Sequence, residues 1–139
     1  MQPQFGFREH AHTADWELEV WAPDLPSLLE QAARGMYALS GLHLAGEPLH
    51  QQVLTLTAKD PESLLVQFLS NLLWIEENNH LGFDQFDLKI SQNIAYNLLA
   101  QLYGSVMIGM DKEIKAVTYH NLAVQSTPQG LRVNIVFDV

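Results

Sequence analysis

His10-Ala11-His12 sets two imidazoles on one side of an extended chain, and Asp15 follows three residues later. A His-x-His pair of this kind serves some metallohydrolases, where further His and carboxylate ligands leave an open position that activates water. The other histidines, His43, His50, His80 and His120, show no i,i+4 pairing and no Glu-bearing helical motif. Solvated or hydrogen-bonded histidines are therefore the plain reading of the pair, and a small metal-dependent hydrolase the lesser one. Asp15 lies in a Thr-Ala-Asp junction that suits a turn or cap carboxylate. Asp138 follows the apolar run Val133–Phe137, which predicts a terminus tied into a sheet. The α-carboxylate of Val139 would then sit beside the Asp138 side chain, and two anions held together recruit a cation or raise each other's pKa. Lys115-Ala116-Val117-Thr118-Tyr119-His120 is polar at alternate positions, as in an edge strand with a satisfied histidine. The chain holds no phosphate-cradling glycine loop, no Gly-x-Ser-x-Gly elbow and no cysteine. It offers no convincing catalytic apparatus.

The elements that position these residues follow from periodicity. Phe5 and Phe7, then Trp16, Leu18 and Val20, alternate with polar residues, predicting two strands around the 10–15 segment. Leu25, Leu28, Leu29, Ala32, Ala33, Met36 and Tyr37 recur at helical spacing, with Asp24 as N-cap and Gly41 just past the end. Residues 53–58 alternate as a strand, and Asp60-Pro61 opens a second helix to about Glu76 that buries Leu64, Leu65, Phe68, Leu69, Leu72 and Leu73. Phe86, Leu88 and Ile90 mark another strand. From Ile94 to Tyr103 both periods fit, since Ile94, Leu98, Leu99 and Leu102 also share one helix face; strand is the reading taken. Residues 114–124 and 131–139 read as strands joined by the turn signal Ser126–Gly130, with Leu131, Val133, Ile135 and Phe137 inward. This order predicts an α+β fold: a single layered domain over residues 1–139, two helices packed on a mixed or antiparallel sheet of about six or more strands.

Composition narrows the partners. The 139 residues are 47% hydrophobic and 17% charged, enough for one core and too little for two. Sixteen acidic against seven basic residues give a net charge of −9, so strong direct binding to nucleic acid is not expected. Such a surface suits a basic protein or a cation. The stretch from Ile90 to Met110 carries no charge, but Ser91, Gln92, Asn93, Asn97, Gln101 and Ser105 interrupt it, which argues against a membrane span. With no apolar leader segment read at the start, the expected compartment is the cytoplasm.

Taken together, His12-Thr13-Ala14-Asp15, Leu28–Met36, Ser63–Leu69, Ile114–His120 and Phe137-Asp138-Val139 resemble the archease family across almost the whole chain. The resemblance implies a non-catalytic activator of the GTP-dependent RNA-splicing (tRNA) ligase, which joins a 3′-phosphate or 2′,3′-cyclic phosphate end to a 5′-hydroxyl. Members of that family promote guanylylation of the ligase and its multiple turnover. The resemblance further implies a divalent-cation site, usually described with calcium, whose ligands map onto Asp15, Asp138 and Val139; His12 and His120 are expected to support this corner without being ligands. Oxygen-only ligands favour such a hard cation. A broader chaperone or modulator of RNA-modifying enzymes is the alternative partner reading. The chain departs from the family pattern at Ala11, where an acid usually precedes the histidine, and at Gly104-Ser105, where Gly-Glu is common.

Overall fold

The exposed β1 (Gly6–His10), the alternately buried β2 (Trp16–Ala22) and the largely buried end of β9 (Gly130–Asp138) build the first sheet. In the computed structural model, which describes residues 3–10 and 16–139, this sheet has the order β1-β2-β9-β7, and β8 also pairs with β9. Leu18 faces Ile135 and Val20 faces Val133 across the ladder, all fully buried, while Glu19 and Trp21 take the opposite face. β7 (Ala116–Val117) and β8 (Gln125–Thr127) are short, and every pairing is antiparallel.

The second sheet is built on the long strand β6 (Tyr96–Gly109). β5 (Leu81–Gln92) lies along one edge of it, and β4 (His50–Ala58) and β3 (His43–Leu44) share the other. The 94–103 run is thus largely strand, and its charge-free composition reflects a central strand whose Leu98, Ala100 and Leu102 are buried. No helix among the described residues is long and apolar enough to cross a membrane.

Two helices pack on the apolar faces of these sheets. α1 (Leu25–Ser40) starts where the Asp24 side chain accepts from the Ser27 N–H at 2.9 Å. It stops at Gly41, whose φ of 65° is the left-handed conformation that glycine adopts without strain. Gly35 lets α1 close onto the first sheet: a Cβ there would lie 2.5 Å from Leu18 Cδ2 and 2.9 Å from Phe7 Cγ. α2 (Pro61–Asn79) is capped by Asp60, which accepts from the Ser63 N–H at 2.7 Å. The helix runs three residues beyond the expected end at Glu76, to a left-handed cap at His80, whose N–H reaches the Glu76 carbonyl.

The expected α+β fold, two helices packed on antiparallel strands, is present, and the strands, nine among the described residues, divide into two sheets. One expectation needs correction: the 114–124 segment is not a continuous strand. Both the N–H and the hydroxyl of Thr118 donate to the Val136 carbonyl, and Asn121 adopts a φ of 51°, so the chain turns away after Val117. The Val124 N–H then donates to Glu62 Oε2 at 2.7 Å, anchoring this loop to the start of α2.

Candidate functional site

The corner marked by the sequence is the end of β9, pinned from both sides. Phe137 pairs with Trp16 at the start of β2 and with Val117 of β7, and Asp138 pairs with Ala116. The Asp138 carbonyl accepts from the Lys115 N–H at 2.8 Å, so its main chain is held within the ladder. The expected tie of this terminus into the sheet is therefore present. The Asp138 side chain is exposed and makes no hydrogen bond or ion pair with another described residue. Val139 is half-buried, packed against the core.

Around this corner stand two lysines and a polar turn. Lys112 lies with its Nζ 4.4 Å from the centre of the Trp16 ring. Its position is set because the Asp111 and Lys112 N–H groups both donate to the Ser40 carbonyl at the end of α1. Lys115 is exposed beside Asp138. His120 is exposed in the turn after β7; its N–H donates to Thr118 Oγ1, and its Nε2 lies 3.3 Å from Asn121 Nδ2. Thr118 thus links the His120 turn to β9 two residues from Asp138.

The segment Ala11, His12, Thr13, Ala14 and Asp15 lies outside the described residues, and with it the expected ligand Asp15, the supporting His12 and the Ala11 departure. The donors that are described suit a hard cation. Asp138 offers carboxylate oxygens that are unpaired among the described residues, on a strand end held in the ladder. Among the described residues no three His, Asp or Glu side chains gather closely enough to hold an ion by themselves. Any cation here therefore also needs donors from elsewhere.

His10 is placed differently from a metal ligand. Its Nε2 lies 2.9 Å from Glu19 Oε1, which also faces Arg8 at 3.7 Å, while Glu19 Oε2 faces Arg132 at 3.6 Å. The outward parity of Glu19 is visible in the sequence, but its partners His10, Arg8 and Arg132 come together only through the β1–β2–β9 register. Ser105, the other departure, is buried, and its Oγ accepts from the Gly46 N–H at 2.8 Å. It fastens the loop between β3 and β4 and leaves no surface for a charge.

Comparison with known proteins agrees with this architecture. The model of the Archease protein family matches residues 7–139. The Methanosarcina barkeri protein archease is 30% identical over 136 residues, covering 92% of each chain. The Pyrococcus abyssi protein archease is 28% identical over 129 residues, covering 89% of this chain and 91% of its own. Among solved structures, Methanobacterium thermoautotrophicum protein 1598 superposes with a TM-score of 0.77 at 24% identity, over 96% of this chain and 99% of the other. A Thermotoga maritima protein described as an archease and possible chaperone superposes with a TM-score of 0.63 at 17% identity, over 100% and 97%.

Proposed function

The chain belongs to the archease family, and from that premise we propose that it is a non-catalytic activator of the GTP-dependent RNA-splicing ligase. In this reading it promotes guanylylation of the ligase and its return to activity after each turnover. The observation that carries the reading is the fixed end of β9, which presents the free Asp138 carboxylate at a corner flanked by Trp16 and Lys115. Asp15 directly precedes Trp16 in sequence, and Trp16 pairs with Phe137, the residue before Asp138.

Asp15, Asp138 and the α-carboxylate of Val139 would hold a divalent cation, with calcium the best fit to an all-oxygen donor set. A bound cation would neutralise these carboxylates and offer open positions to oxygen donors of a partner. The chain's own residues do the positioning. The Lys115 amide and Ala116 fix Asp138 in the ladder, Thr118 anchors the His120 turn, and Lys112 covers Trp16. A rigid corner that binds one conformation of the ligase better than another shifts the ligase toward it by that difference in affinity. The acidic surface, with a net charge of −9, suits a basic protein that itself handles RNA.

The test is multiple-turnover ligation of a 2′,3′-cyclic phosphate RNA by a cognate ligase, with this chain added below stoichiometry. The expected result is product in excess of ligase only when the chain is present, and no product from the chain alone. An unchanged yield contradicts the proposal. A general chaperone role would instead show as equal protection of unrelated proteins from aggregation. A His-x-His hydrolase is disfavoured because His10 is already bound to Glu19.

A further inference from the structure

We propose that a cleft between the C-terminal turn of α2 and the 110–115 segment receives the cationic head of a lysine or arginine side chain from a protein partner. The cleft has a volume of about 200 Å³, room for roughly six waters' worth of ligand. At its wall stands Glu76, only 5% exposed. The Glu76 side chain has no hydrogen bond and no ion pair among the described residues. Burial pushes its carboxyl up to about 6, and the charges of Glu113 and Glu77 push in the same direction. Within reach of the Glu76 charge, the Tyr37 hydroxyl is buried and has no hydrogen-bond partner among the described residues. Burial raises its pKa well above the phenol value, the nearby Phe83 amide opposing and the Glu76 charge reinforcing.

A buried carboxylate without a partner is costly, because burial removes hydration that nothing in the protein replaces. The surroundings decide what would replace it. An anion is excluded by three carboxylates. A metal ion finds no group of three ligating side chains among the described residues. Beside the carboxylates, His80 and Lys115, the walls are the side chains of Leu73, Met107, Met110 and Ile114, which offer apolar contact. Aliphatic walls ending on a carboxylate match a methylene stem ending in a cation, the form of a lysine or arginine side chain. Methionine's flexible, polarizable chain adapts to such a stem. The chain's own Lys115 also lines the cleft, but it is exposed and forms no ion pair with Glu76. The strongly acidic surface supplies the complementary field that draws in a basic partner.

The experiment uses Nα-acetyl-lysine methylamide as the probe, titrated into the whole chain while methyl and carboxyl NMR signals are followed. Saturable shifts are expected at the Met107, Met110 and Ile114 methyls, together with a fall in the Glu76 pKa toward the ordinary carboxylate range. Nα-acetyl-norleucine methylamide, which keeps the stem and lacks the cation, should give no such response. Glu76→Gln should weaken the probe by roughly tenfold, and this nearly isosteric change keeps the fold. Affinity in the wild type should also fall as pH drops below about 6, read against the other groups facing Glu76: Glu77 and His80 on the end of α2, Glu113 and Lys115 on the adjoining segment, and Tyr37 on α1. Absence of saturable shifts overturns the proposal, as does an equal response to norleucine or in Glu76→Gln. A Glu76 pKa that is ordinary in the free protein and rises in Lys115→Met would assign the cleft to the chain's own ammonium, and would also overturn it. Because the probe meets the chain alone, the outcome is independent of whether the ligase is the partner.

Discussion

Asp138 and Glu76 are two carboxylates in opposite situations. Asp138 is exposed, with its main chain fixed and its side chain unpaired among the described residues. If it holds calcium together with Asp15 and Val139, only the folded chain assembles the ligands, so calcium in excess of its Kd should raise Tm by several degrees. Asp138→Ala should remove that increment in a thermal melt while leaving the calcium-free Tm nearly unchanged. Glu76 is buried, and its raised pKa fixes the sign of its pH effect. The folded state binds the proton more tightly than the unfolded chain, so stability is greatest below the ordinary glutamate value and declines as pH rises toward about 6. Glu76→Gln should abolish that decline and stabilise the protein above pH 6, by about 1 kcal/mol after allowance for solvent screening at the cleft mouth. Denaturant midpoints measured across this range check both statements.

The helices show which elements can be read in advance. Asp24 and Asp60 are legible as caps because a side-chain oxygen before an apolar-periodic run has one evident use, and both accept the expected N–H. Asp60→Ala should cost about 1 kcal/mol. Hydrogen bonds from Ser63 hold the Asp60 carboxyl below the usual range, so this difference should be present at neutral pH and vanish as pH falls through its lowered pKa. Gly35→Ala should destabilise by about 1–2 kcal/mol despite alanine's better helix propensity, since the new methyl meets Leu18 and Phe7. That contact is invisible in the sequence, where Gly35 looks like a helix defect. The division into two sheets is equally hidden, because alternation fixes which face of a strand is buried and leaves its neighbour open. At the candidate corner, the alternating run into Phe137 made the fixed strand end legible. The early end of β7 was not, since it depends on Thr118 finding the Val136 carbonyl and on Asn121 turning left-handed. Glu76 did carry a signal: it falls on the apolar stripe after Leu69, Leu72 and Leu73, a position where a carboxylate is out of place.

For the whole molecule, function follows from a firm framework that brings acidic groups to chosen places on an acidic surface. Both sheets and both helices contribute to one buried cluster, and Phe137, next to Asp138, lies within it. Movement of the strand end would therefore disturb the core, so a partner docking at this corner, as proposed, would meet a fixed strand end. Guanylylation of a cognate ligase from GTP, followed over time with and without this chain, tests the central claim most directly. The account predicts faster formation of the guanylylated ligase with the wild-type chain, and a loss of roughly tenfold or more in that acceleration with folded Asp138→Ala. An acceleration that is absent, or that survives Asp138→Ala unchanged, would contradict it.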